Sequence, residues 1–123
     1  MKSNRRFLCA LAAACRGIRT SFESERNFKV HSVCAVFAIF LGILLEINPS
    51  EWLWISLAIL LVLAAELFNT ALEALTDLSS PSYHELAKKA KDAAAAGVLM
   101  AAIFSLICGI IVFLPKLVQL INS

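Results

Sequence analysis

Apolar residues fill three long blocks of this chain, separated by two polar breaks. The clearest block, 93–115, contains no charged side chain. Another begins at Trp52, stays uncharged through Ala65 and continues with helical spacing past Glu66 and Glu73. The block nearest the N-terminus has an uncharged core over 33–45 and reaches spanning length as a helix over 28–47. About 20 mostly apolar residues are needed to cross a bilayer. The pattern therefore predicts spans at 28–47, 52–78 and 93–115, with a cytoplasmic connection over 79–92, all in a single domain.

The first 27 residues follow a different rhythm. At 100° per residue Phe7, Leu11, Ala14, Ile18 and Phe22 share one face, with Arg5, Arg6, Arg16 and Arg19 opposite. That predicts an amphipathic helix lying on an anionic membrane surface, followed by a turn. The basic start and the apolar stretch Phe7–Cys15 also resemble a secretory signal, even a lipoprotein signal ending at Cys15. The two-faced periodicity favours the surface helix.

Composition narrows the class. The 123 residues are 60% hydrophobic and only 16% charged, with mean hydropathy +0.81. Soluble domains hold about 25% charged residues, and small ones need a large polar shell. A soluble globular domain and a disordered chain are both excluded. Of the eleven basic residues, seven precede position 32, three fall at Lys88, Lys89 and Lys91, and one is Lys116. Lysine and arginine accumulate on the cytoplasmic side. This places the N-terminus and the second connection inside, with the Asn48–Glu51 turn and the C-terminus outside. Cys9, Cys15, Cys34 and Cys108 have no metal-ligand spacing and read as small apolar fillers. Neither His31 nor His84 has partners at zinc spacing.

Charge inside a membrane helix costs about 2.5–3.5 kcal/mol at mid-span and is kept for function or paired. Glu66, Asn69, Thr70, Glu73 and Asp77, at offsets 0, +3, +4, +7 and +11, share one helical face, while Leu67, Leu72 and Leu75 lie opposite. At 1.5 Å per residue Glu66 sits roughly 10 Å deeper than Glu73. One carboxylate can act as a sheltered general base. The other is wet enough to hold a hard cation such as Mg²⁺. Interhelical hydrogen bonding is the plainer explanation of such a stripe, and a small ion-conducting oligomer would also use one. Around it lie Glu23, Glu25, Arg26, Asn27 and Lys29 before the first span, and Ser82–Glu85 with Lys88–Asp92 before the third. Those lysines could serve only as topological anchors, but Asp92 adds nothing to such a signal. Ala93, Gly97, Ala101, Ser105 and Gly109 form a small-residue ridge suited to packing against protein. A scaffold would need only that ridge. No G-x-x-x-x-G-K-[ST] phosphate loop is present.

The run Glu66-Leu67-Phe68-Asn69-Thr70-Ala71-Leu72-Glu73, then Asp77, Tyr83-His84-Glu85-Leu86-Ala87 and Ala90-Lys91-Asp92, resembles the small bacterial membrane lipid kinases. These are the diacylglycerol kinase family with its undecaprenol kinase branch. Glu25-Arg26-Asn27-Phe28 with His31, and Phe113-Leu114-Pro115-Lys116-Leu117, are more similar to the undecaprenol kinase branch. The resemblance implies an all-α membrane protein of the bacterial cytoplasmic membrane, assembled as a homotrimer with sites shared between subunits. It implies ATP as phosphate donor, Mg²⁺ as cofactor and a lipid alcohol as acceptor, undecaprenol first and diacylglycerol second. By matching motif positions, Glu66 would be the general base, next to Asn69 at the lipid hydroxyl, and Glu25 and Glu73 would hold Mg²⁺. Arg6, Asn69, Asp77, Ser82, Tyr83, His84, Lys91 and Asp92 would face the nucleotide. Cys9, Ala13 and Ala95 depart from the family pattern, which weakens nucleotide contacts from the N-terminal helix.

Overall fold

A computed structural model describes residues 2–122. Among these residues the chain forms four helices and no strand: α1 (Lys2–Ser24), α2 (Arg26–Leu44), α3 (Pro49–Ser79) and α4 (Glu85–Asn122). Three of them, α2, α3 and α4, are long and apolar enough to cross a membrane. The all-helical fold with three candidate spans is therefore present. At 1.5 Å per residue, the 31 residues of α3 and the 38 of α4 reach about 46 and 57 Å. A hydrocarbon core is only about 30 Å thick. Both helices are longer than a perpendicular crossing needs.

The turn between α2 and α3 is fixed by local chemistry. Ile47 N–H donates to the Gly42 carbonyl (3.1 Å) and Glu46 N–H to that of Ile43 (3.2 Å). This is a Schellman arrangement, with Glu46 at the left-handed position (φ 48°) where glycine is usual. Immediately afterwards Asn48 Oδ1 accepts from Glu51 N–H (3.0 Å), and Glu51 Oε2 accepts from Asn48 N–H (2.7 Å). With Pro49 at the start, that reciprocal pair is a capping box. Lys116 Nζ lies 3.2 Å from the same Glu51 oxygen and ties α4 to this end. Beneath the turn Ile47, Ile55, Val112 and Phe113 form a buried cluster, with Leu41, Leu45, Trp52 and Leu117 packed on it. Gly42 is required there, because a Cβ would stand 2.8 Å from the Trp52 ring.

The largest interface is between α3 and α4. Ser105 Oγ lies 3.0 Å from the Ala58 carbonyl across it and 2.9 Å from the Ala101 carbonyl on its own helix. The small-residue ridge divides along its length. Ala101, Ser105 and Gly109 are half-buried, whereas Ala93 and Gly97 are exposed, with open space around Gly97.

Irregular backbone in the second connection is shorter than the 79–92 segment read from the sequence, since only 80–84 lies outside helix. His84 explains the early start of α4. Its Nδ1 accepts from Leu86 N–H (3.1 Å), and its carbonyl accepts from Lys88 N–H (3.0 Å). Glu85 adds an acidic side chain in the first turn. At the other end α4 continues through Pro115, which forgoes one hydrogen bond without ending the helix. Contacts from α1 to α2 and α3 are few. Its Phe7, Leu11, Ile18 and Phe22 are all exposed.

Candidate functional site

One face of α3 carries the polar stripe from the interior of the bundle to its Ser79 end. Glu66 is 2% exposed, the most deeply buried side chain among the described residues. Asn69 and Glu73, one and two turns along, are half-buried and joined by Asn69 Nδ2 donating to Glu73 Oε1 (3.1 Å). Asp77 is exposed and pairs with Lys91 of α4. The gradient from buried to exposed carboxylate follows from the 3–4 residue spacing on a helix that leaves the apolar region.

Two buried oxygens in this stripe, Glu66 Oε1 and Asn69 Oδ1, have no hydrogen-bond partner. His31 Nε2 on α2 is 3.2 Å from Glu66 Oε1, within ion-pair range but outside hydrogen-bond alignment. Buried oxygens without donors are rare in folded proteins and call for an explanation. Both lie on the face of α3 that carries Glu73, which Asn69 Nδ2 meets at 3.1 Å. Glu25 is half-buried at the break between α1 and α2, and its Oε1 accepts from Ser24 Oγ (3.2 Å).

A second cluster closes the Ser79 end. A cavity of about 340 Å³ is lined by Asp77, Ser82, Tyr83, His84, Lys91 and Asp92, all six singled out from the sequence. Lys88 also lines it and pairs with Asp92 (2.7 Å). Arg6 does not line this cavity and is exposed on α1. Asn69 belongs with Glu66 and Glu73 rather than with the cavity.

Among the described residues no three His, Cys, Asp or Glu side chains converge as a metal cage. Mg²⁺ rarely uses one, since it is commonly held by one or two carboxylates together with phosphate oxygens and water. Glu73, held by the Asn69 amide, is a half-buried carboxylate of that kind.

Sequence spacing alone assigns His31 no role, yet the structure brings it to Glu66. A signal existed: Phe28, Ala35 and Gly42 are the buried residues of α2, and His31 with Ala38 falls on the same 3–4 spacing. Periodicity marks His31 as inward-facing but does not say which residue of another helix it meets.

Fold and site together define a small helical membrane protein with a carboxylate and lysine centre at the polar end of its spans. Residues 12–113 match the family described as prokaryotic diacylglycerol kinase, and the chain belongs to that family of lipid kinases. Undecaprenol kinase of Bacillus subtilis (strain 168) is 43% identical over 112 residues, 91% of each chain. Diacylglycerol kinase of Synechocystis sp. is 41% identical over 114 residues, 92% of this chain and 65% of that protein. Diacylglycerol kinase of Escherichia coli (strain K12) is 29% identical over 102 residues, 83% of this chain and 84% of the relative. The resemblance read from the motifs is thereby shown. The ion-conducting and scaffold alternatives give way to an enzyme.

Proposed function

We propose that this chain phosphorylates the hydroxyl of undecaprenol at the cytoplasmic leaflet, using ATP and Mg²⁺. The observation that carries the reading is the graded stripe on α3. It runs from a sealed carboxylate at Glu66 to an exposed Asp77–Lys91 pair beside a polar cavity. An amphiphilic alcohol lying across the interface meets the deep end, and a water-borne nucleotide meets the shallow end. The 43% identity to an undecaprenol kinase favours the polyprenol as acceptor.

Phosphoryl transfer depends on in-line positioning and charge stabilisation more than on covalent help. Lys91 is held by Asp77 at the cavity and offers its ammonium to the phosphate oxygens. Ser82, Tyr83, His84 and Asp92 shape the remaining wall of the nucleotide site. Arg6 would reach the nucleotide from α1. Glu25 and Glu73 would hold Mg²⁺, which when bound neutralises charge on the phosphate oxygens. Asn69 orients Glu73 through its amide and keeps its own oxygen free for the incoming substrate. Glu66 accepts the hydroxyl proton in a place where water does not compete for it.

The distribution of basic residues orients the chain with its N-terminus and the Lys88–Asp92 segment in the cytoplasm and its C-terminus outside. The apolar face of α1 then rests in the inner leaflet. Wide exposure of apolar side chains on α2, α3 and α4 also suits a homotrimer whose sites are shared between subunits. Diacylglycerol is the second reading, favoured by the 41% identity to a diacylglycerol kinase. Competition between the two lipids in one ATP-dependent assay decides the matter. Undecaprenol is expected to suppress diacylglycerol phosphorylation at equal mole fraction, and the reverse result assigns the enzyme to diacylglycerol.

A further inference from the structure

The proposed base presents a problem of access. Glu66 is only 2% exposed, yet a base must come within about 2.6–3.2 Å of the proton it removes. The side chain standing at its carboxylate is His31, 24% exposed, with Nε2 at 3.2 Å from Glu66 Oε1. That oxygen accepts no hydrogen bond, so no other donor occupies it. His31 also lines an apolar groove of about 260 Å³ between α2, α3 and α4, whose walls include Ala35, Ala38, Ala58, Ala102 and Gly109. Glu66 does not line that groove. Of the two partners, only the imidazole faces a space that a lipid could enter.

From this geometry, and resting on the reading of the stripe as the phosphoryl-transfer site, we infer that His31 relays the hydroxyl proton to Glu66. Imidazole is suited to the task because its two nitrogens can hold and release a proton in turn. In the required tautomer Nε2 carries the hydrogen and Nδ1 is free. The ring must turn to bring Nε2–H into line with Glu66 Oε1, which is 3.2 Å away but out of hydrogen-bond alignment. As the lipid oxygen bonds to the γ-phosphorus, its O–H bond breaks and an Nδ1–H bond forms. The Nε2–H bond then breaks as Glu66 Oε1–H forms, and the bond from the γ-phosphorus to the β-phosphate bridging oxygen breaks to release ADP. The proton ends on Glu66 and the electron pair on ADP, so no further reactant is needed. In the acid–histidine pairs of hydrolases the buried carboxylate orients the imidazole and stays ionised, so this relay differs from them in passing the proton on to Glu66.

The test uses the full chain in lipid vesicles with undecaprenol and ATP. His31→Gln places an amide donor near the position of Nε2 but cannot pass a proton through itself. It is expected to lower kcat by about 10²-fold, the usual worth of a proton-transfer group, while the KM for ATP stays unchanged. His31→Ala is expected to fall equally and to regain at least about tenfold on addition of imidazole, which fits the space vacated beside the groove. Full turnover in His31→Gln overturns the relay and leaves His31 as a donor that only orients Glu66. Failure of imidazole to restore His31→Ala overturns it as well. Glu66→Gln, assayed alongside, separates the relay from the underlying role of the carboxylate stripe. If it remains active, the underlying reading of the site fails too. If it is inactive while His31→Gln is normal, the relay alone falls.

Discussion

The two ends of α3 are built on opposite plans. At the Asn48 end a Schellman turn, a capping box and the Lys116–Glu51 pair supply partners to the polar groups of the turn. An apolar cluster seals the space beneath them. Toward the Ser79 end the same helix carries two buried oxygens without donors, an open cavity and ion pairs exposed to water. The chain completes itself at one end and waits for partners at the other. Unsatisfied buried polar groups cost about 1–3 kcal/mol each. Such a cost persists where a ligand later supplies the missing contacts.

The sharpest way to break the contrast is at its deepest point. Glu66→Gln is nearly the same size and leaves the α3 and α4 packing in place. Phosphate transfer to undecaprenol is expected to fall by about 10²–10⁴-fold, as for loss of a general base, with assembly unaltered on size-exclusion chromatography. Unchanged turnover would remove Glu66 from the chemistry. Nearer the surface, Glu73→Gln is expected to raise the Mg²⁺ concentration for half-maximal activity by about tenfold or more. A titration that coincides with wild type sinks Glu73 as a ligand. At the opposite end the effect is on stability alone. Gly42→Ala drives a methyl group to 2.8 Å from the Trp52 ring, and overpacking of this kind costs about 1–3 kcal/mol. Thermal inactivation should occur at lower temperature while kcat of the folded enzyme is unchanged. A fall in kcat without loss of stability would show that the two ends are coupled.

Much of this organisation is legible in the linear chain. Glu66, Asn69, Glu73 and Asp77 share a face because a helix repeats every 3.6 residues. Asn48-Pro49-Ser50-Glu51 is legible as a polar turn, and the structure adds that asparagine and glutamate cap each other there. Ser82, Tyr83, His84, Lys91 and Asp92 meet in one cavity because the connection between α3 and α4 is short. His31 escaped the same reasoning. Its periodicity gives its direction but not its depth relative to α3, and no spacing within α2 encodes that depth. The start of α4 at Glu85 was hidden as well, because the cap on His84 Nδ1 is made by a residue type seldom found in that role.

What the sequence determined by itself was the three apolar spans, the polar face of α3, the Asn48–Glu51 turn and the family. Each depends on hydropathy, helical period or motif order, which are properties of neighbouring residues. Only the tertiary structure decided that His31 stands against Glu66, that Lys91 closes on Asp77 and that Lys116 reaches Glu51. Those pairings depend on how far one helix slides along another, and that register is set by side-chain packing across the whole interface. The site is the joint product: one helix provides the carboxylates, and the docking of its neighbours assigns their partners.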